Sequence, residues 1–266
     1  MNTKTAVHFA DNYLINATNP VTVNLIGAGG TGSNMLTALA KINHCLTVLG
    51  DPGLQVNVWD DDTVTEANRG RQLFAHAEVG LCKSVALVSR YNRFFGTNWK
   101  AIQQKFSNTM HCPNGEHETS IYISCVDNVP SRFEIASMLK NLGSDRDNNR
   151  NRPLYWMDFG NSRDTGQVIL STITEIRQPK SKLYRAVGKL SMITDEFKTL
   201  LENETGNNEP SCSLAEALEK QDLFINPSLV DMGGSLLWRM FQKGMTENRG
   251  FFHNLETLCT QPLKVA

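Results

Sequence analysis

No stretch of the 266 residues stays apolar for the roughly 18 positions that a membrane helix needs, and the first twenty hold no apolar core of leader length. A cytoplasmic protein with no membrane partner is the expectation. Cysteine is sparse. Cys45, Cys82, Cys112, Cys125, Cys212 and Cys259 form no C-x-x-C pair, so neither a disulfide framework nor a cysteine-rich zinc site is expected. His111, Cys112 and His117 make one His/Cys grouping, but without a fourth ligand or helical spacing it reads as a loop coincidence. An excess of one charge is missing too. A formal net charge of −1 and a pI near 6.6 provide no broad basic surface for a phosphate backbone, so direct nucleic-acid binding is not expected. No internal repeat is present.

What is present is organised around residues 21–34, VTVNLIGAGGTGSN. The apolar run of Val21, Val23, Leu25 and Ile26 breaks into Gly27, Gly29, Gly30 and Gly32, and helical spacing resumes at Met35, Leu36, Leu39 and Ala40. That order predicts strand, glycine turn, helix. Gly27, Gly29 and Gly32 fit G-x-G-x-x-G: the first permits the turn, the second admits a phosphate close to backbone, and the third lets the helix pack on its strand. The helix start then offers free N–H groups and a positive dipole end to an anion. Taken alone, the glycines could equally make a bare strand-to-helix turn.

A loop is expected over residues 45–53 and a second strand over 54–59, ending in Asp60-Asp61-Asp62. An acid at the end of that strand is where a nucleotide-binding unit accepts ribose hydroxyls, which singles out Asp60, while Asp61 and Asp62 suit a solvated turn. Its separation from Gly27 exceeds the roughly twenty residues of dinucleotide folds, which weighs against a nicotinamide oxidoreductase. Asn68, Arg71 and Lys83 follow at intervals that a triphosphate would use. A guanidinium fork suits planar phosphate oxygens, and Lys83 at a helix start acts as a point charge, with Leu81, Val85 and Val88 expected on one face. A later strand near residues 120–125 ends at Asp127, placed to hold Mg²⁺ beside a triphosphate. Asp127 and Asn128 are equally able to cap the next helix.

Further strands are expected over residues 154–159 and 167–174, and a mobile crossing segment within 175–211. Asn226 and Pro227 read as N-cap and first residue of a helix reaching about Lys243, and Gly233-Gly234 as a notch for close approach of another backbone, a second subunit's being one candidate. The predicted fold is one α/β domain with a Rossmann-like, doubly wound, mostly parallel sheet and an antiparallel extension. It divides into a nucleotide-binding core over 21–172, a crossing segment over 173–225 and a helical C-terminal part over 226–266.

Five groups of residues, in order, resemble the motifs of the ThiF/MoeB/HesA superfamily: Gly27 through Ser33, Asp60 through Val64, Asn68 with Arg71-Gln72, Val79-Gly80 with Lys83, and Cys125 through Asn128 with Arg132. Gly160-Asn161 and Gly166-Gln167 extend the match to about residue 170. Within that superfamily the chain is similar to the ThiF-like family of bacterial PRTRC cassettes. The resemblance implies ATP-dependent adenylation of the C-terminal carboxylate of a small ubiquitin-like or sulfur-carrier protein, on a homodimer, with a conjugating-enzyme-like protein as a possible later partner. It assigns Asp60 to ribose, Asn68, Arg71 and Lys83 to the phosphates, and Asp127 to Mg²⁺. Cys212, in Glu209-Pro210-Ser211-Cys212-Ser213-Leu214, is similar to the thioester-forming cysteine of the ubiquitin-activating branch; a helix-initiating cysteine is the competing reading. The R-Y-x-R-Q segment and the paired C-x-x-C zinc ligands of many relatives have no counterpart here. A nucleotide-binding scaffold without chemistry and a nicotinamide oxidoreductase remain the alternatives on this fold.

Overall fold

The structure is a computed structural model that describes residues 4–107, 119–144, 153–202 and 221–266. In chain order the elements are β1 (Ala6–Phe9), α1 (Asn12–Ile15), β2 (Val21–Ile26), α2 (Gly30–Val48), β3 (Leu54–Trp59), α3 (Lys83–Phe95), β4 (Lys100–Ile102), β5 (Ile121–Ser124), α4 (Val129–Ser144), β6 (Tyr155–Asn161), β7 (Thr165–Thr172), β8 (Arg185–Ala186), α5 (Ile193–Glu196), α6 (Lys198–Glu202), α7 (Ile225–Lys243), β9 (Met245–Thr246), β10 (Asn248–Asn254) and β11 (Cys259–Lys264).

Eight strands form one sheet in the order β11-β10-β7-β6-β5-β2-β3-β4. Strands β2 through β6 run parallel, and β7, β10 and β11 extend the sheet antiparallel, as the sequence predicts. The chain winds outward from β2 through β3 to β4, then returns to lay β5 on the other flank of β2. That reversal opens a crevice beyond the carboxyl ends of β2 and β5, the usual ligand position in open sheets of this type.

Each sheet face has its own core. Val21, Val23, Leu25, Val56 and Val58 share one with Leu36, Leu39, Leu87 and Leu237 from α2, α3 and α7. Ile26, Trp59, Tyr122 and Trp156 share the other with Ile135 and Leu139 of α4 and Ile193 of α5. Asn24 interrupts the apolar pattern of β2 at a fully buried position. Its Oδ1 accepts from Asn57 Nδ2 and Trp59 Nε1, both at 3.0 Å, which avoids the roughly 1–3 kcal/mol that an unpaired buried polar group costs.

Four local expectations are corrected. The loop predicted from residue 45 begins later, because α2 runs on to Val48. Helix α3 buries Ala86, Leu87, Val88 and Tyr91, whereas Leu81 precedes the helix and is exposed. The Gly233-Gly234 notch is filled by this chain itself: a Cβ on Gly233 would lie 2.6 Å from Phe159 Cζ, and one on Gly234 would lie 3.3 Å from Ala38 Cβ. Finally, the C-terminal part is helical only to Lys243, and β9, β10 and β11 follow it. β9 and β10 have partners distant in sequence, β1 and β7, so no local periodicity announced them, and β11 folds back on β10 as a hairpin.

In the crossing segment, the described part packs on the rest of the chain. β8 pairs with β1, and Ile176, Leu190, Met192, Ile193 and Leu201 are buried. No helix among the described residues is long and apolar enough to cross a membrane.

Candidate functional site

The glycine turn lies over the crevice, and its shape depends on missing side chains. Gly27 has φ +91°, and a Cβ there would come within 2.8 Å of the Cys125 carbonyl oxygen at the end of β5. A Cβ on Gly32 would sit 1.9 Å from the Gly27 carbonyl oxygen, so this glycine lets α2 close onto its own turn. Around Gly29 a Cβ would meet nothing within 4 Å, so the turn is open on that side. Among the described residues no side chain caps the N-terminus of α2. An open, uncapped helix start fits an anionic group.

At the end of β3, Asp60 braces the turn. Its Oδ2 accepts the Ala28 N–H at 2.6 Å and its Oδ1 the Asp62 N–H at 2.9 Å. Burial pushes the Asp60 carboxyl above its ordinary value, opposed by the Ala28 bond, the charge of Lys83 and the Asp62 bond. Lys83 opens α3 with its side chain only 9% exposed, and its Nζ donates to Asp62 Oδ2 at 2.7 Å, where Asp62 is 67% exposed. Carboxylate atoms of Asp60, Asp61 and Asp62 fall within 4.8 Å of one another, but those of Asp60 and Asp62 are already engaged by protein donors. Asn68 ends a 3₁₀ turn, and its Oδ1 accepts the Thr65 N–H at 2.8 Å. Its amide oxygen therefore holds its own loop.

Arg71 reaches the start of α2. A Cβ on Gly30 would lie 3.4 Å from Arg71 Nη1, which donates to Gln221 Oε1 at 2.7 Å. The buried Nε of Arg71 has no acceptor among the described residues. Burial lowers the pKa of this guanidinium, and the nearby negative charge of Asp127 works in the opposite direction. Asp127 is exposed just beyond β5, and Asn128 donates to its Oδ1 at 3.2 Å. The cap of α4 falls to Asn128, whose Oδ1 accepts the Ser131 N–H at 2.8 Å, so Asp127 is spared that role.

Arg132 lies beneath the crevice. Its Nε pairs with buried Asp158 Oδ2 at 3.2 Å, and its Nη2 donates to the carbonyls of Val126 at 2.9 Å and Phe159 at 3.1 Å. It ties the ends of β5 and β6 together. Burial pushes the Cys125 thiol well above its ordinary value, which removes it as a nucleophile at neutral pH. Cys212 lies outside the described residues, as do His111, Cys112 and His117.

Asn226 is the residue that sequence reasoning placed wrongly. Helix α7 begins at Ile225 after an N-cap at Phe224, so Asn226 is its second residue and Pro227 its third. Instead of capping, the Asn226 Oδ1 accepts from Thr31 Oγ1 at 2.7 Å and Asn161 Nδ2 at 3.1 Å, and its Nδ2 donates to Gln221 Oε1 at 2.9 Å. The available signal was Gly30, a glycine beyond the three of the motif: a Cβ there would meet Asn226 Nδ2 at 2.6 Å.

The structure thus joins Asp60 to the glycine turn, sets the Lys83 charge near Asp60, and brings Arg71 to the start of α2 within reach of the Asp127 charge. The sequence profile of the ThiF family matches residues 5–258, nearly the whole of this arrangement. The chain belongs to the ThiF family. Solved structures of similar fold include PaaA, at 12% identity and a TM-score of 0.56, covering 95% of this chain and 65% of that chain. MccB of E. coli with ATP matches at 15% identity and a TM-score of 0.56, covering 94% of this chain and 65% of that one. MccB with AMPCPP and MccA matches at 13% identity and a TM-score of 0.56, covering 94% and 66% respectively. This ThiF-family chain therefore spans just under two-thirds of the length of those proteins. A search of curated proteins returned no match.

Proposed function

We propose that this ThiF-family chain binds ATP and Mg²⁺ in the crevice and adenylates the C-terminal carboxylate of a small ubiquitin-like or sulfur-carrier protein. The observation that carries the reading is the pairing of an α2 N-terminus with no side-chain cap among the described residues with the Arg71 guanidinium beside it, whose Nη1 approaches Gly30 and whose Nε has no acceptor among those residues. Both want an anion, and a phosphate chain supplies several oxygens at once. The MccB structures with ATP, and with AMPCPP and MccA, support a nucleotide and a second component on this fold.

In this reading the backbone N–H groups at the start of α2 and the Arg71 fork hold the phosphates, Lys83 adds a second cation, and Asp60 accepts from ribose. Asn68 contributes its amide nitrogen, since its oxygen is engaged. Asp127 holds Mg²⁺, which when bound neutralises phosphate charge. A carboxylate oxygen of the carrier attacks the α-phosphorus, an acyl–phosphate bond forms, the bond to the bridging oxygen breaks, and pyrophosphate leaves. No general base is needed, because the attacking carboxylate is already ionised. The chain's part is alignment and stabilisation of the charge that spreads over phosphoryl oxygens. We place the protein in the PRTRC-type branch, as a homodimer, with Cys212 as acceptor of the activated carboxylate in a thioester.

ATP–pyrophosphate exchange with small candidate carriers tests this directly. Exchange that depends on a free carrier C-terminus supports the reading, and exchange unaffected by amidating that terminus overturns it. ATP binding under Mg²⁺ without exchange for any carrier would favour a nucleotide-binding scaffold.

A further inference from the structure

Asn226 is 1% exposed, and both ends of its side-chain amide are engaged. The polarity of this chain of bonds is set from one end. A guanidinium only donates, so the Gln221 atom 2.7 Å from Arg71 Nη1 has to be its amide oxygen. The same oxygen lies 2.9 Å from Asn226, which must therefore present Nδ2 to it and Oδ1 to the opposite side. Thr31 then donates its hydroxyl to that Oδ1, and Asn161 its amide. Side chains from the start of α2, the end of β6 and the start of α7 thus share one hydrogen-bond direction, dictated by the charge on Arg71.

The dependence also runs the other way. Gln221 engages Nη1 of Arg71, the fork nitrogen nearest Gly30, and leaves the buried Nε without an acceptor among the described residues. We infer that Asn226 is a positioning residue of the nucleotide site: through Gln221 it holds the Arg71 fork at the start of α2, where a phosphate would meet it. Through Thr31 it ties that fork to the first turn of α2. This rests on the ATP reading above and adds what orients its principal cation.

The test replaces Asn226→Leu, which keeps the side-chain shape and removes its polarity, and separately Gln221→Met at a half-buried position. Calorimetry with AMPCPP and with adenosine then separates phosphate contacts from base and ribose contacts. Both variants should bind AMPCPP about tenfold more weakly, the order expected for hydrogen bonds to a charged group, and adenosine with unchanged affinity. Combining them should be no worse than the weaker single variant, because both cut one chain. Equal losses for AMPCPP and adenosine would indicate a general structural defect and overturn the inference. Variants matching a wild type that binds AMPCPP would overturn the inference and leave the ATP reading intact. A wild type that binds neither probe would remove both. Should Asn226→Leu fail to fold, Gln221→Met alone decides.

Discussion

The carboxylate of Asp60 accepts the backbone N–H of Ala28 at 2.6 Å, so the end of β3 clamps the glycine turn that leaves β2. Burial dominates the titration of this group and raises it, which means that the native state holds the proton more tightly than the unfolded chain does. Its contribution to stability is therefore largest below the unfolded value of about 3.9 and is lost as pH rises through the folded value. Urea titrations of wild type and Asp60→Asn from about pH 4 to about pH 7 should show the wild type losing ground against the variant as pH rises. A gap that widens in favour of the wild type would reverse the assignment of burial as the leading cause.

Arg71→Lys should lose pyrophosphate exchange by at least about a hundredfold, the scale for removing one preorganised donor at a site of developing charge. Lysine keeps the charge but not the planar fork, which here serves Gln221 with one nitrogen and leaves another for a ligand. Steady-state exchange and thermal melts measured together would separate this loss from unfolding. Retained exchange would make the fork dispensable.

Asp127→Ala should weaken exchange in a way that added Mg²⁺ partly restores. The residue is exposed and does not cap α4, so its removal should leave the melting temperature close to that of wild type. Equal loss at every Mg²⁺ concentration would point away from the metal.

What the sequence made legible follows the range of the interactions. The G-x-G-x-x-G spacing encodes a local steric requirement, and Gly27 and Gly32 meet it within one turn. That Asp60 and Asp127 follow the carboxyl ends of strands was readable from where each apolar run stops, whereas the placing of those strands on either side of β2 was not. Asn226 was not readable. Its neighbour Pro227 made a good local argument for a helix start, whereas its actual partners Thr31 and Asn161 lie 195 and 65 residues away. Strands β9 and β10 were missed for the same reason, since their pairing with β1 and β7 is a tertiary fact. Arg132 carried a motif signal, and the buried pair it makes with Asp158 is a structural reason for that signal.

His8 on β1 should make the fold sensitive to mild acid. It is fully buried, with Nδ1 2.6 Å from the Val187 carbonyl and Nε2 2.9 Å from the Tyr155 hydroxyl. A carbonyl only accepts, so Nδ1 carries the proton and Nε2 of the neutral ring accepts from Tyr155. Burial lowers the pKa, with Val187 and Asp11 opposing it. The stability is present above the unfolded value of about 6.5 and is lost as pH falls through the lower folded value. The slope from this group alone cannot exceed about 1.4 kcal/mol per pH unit. Denaturation of wild type and His8→Gln between about pH 7.5 and pH 5 should show the steeper acid loss in the wild type. Parallel curves would exclude His8 as its source.

Gly29 and Gly32 belong to the same motif, yet alanine should affect them in opposite ways. At Gly32 the added Cβ would sit 1.9 Å from the Gly27 carbonyl oxygen, a backbone atom that cannot rotate aside. Gly32→Ala should therefore cost at least about 3 kcal/mol of stability, beyond the usual range for a single methyl. Gly29 has φ −75° and nothing within 4 Å of its would-be Cβ, so Gly29→Ala should fold with a change below about 1 kcal/mol. Its methyl would nevertheless occupy the open space before the α2 N-terminus, where a phosphate has to approach backbone closely. AMPCPP affinity should fall at least about tenfold in Gly29→Ala while its urea midpoint stays near that of wild type. Wild-type affinity in Gly29→Ala would mean that the phosphates bind elsewhere. Wild-type stability in Gly32→Ala would mean that the turn is looser than its geometry requires.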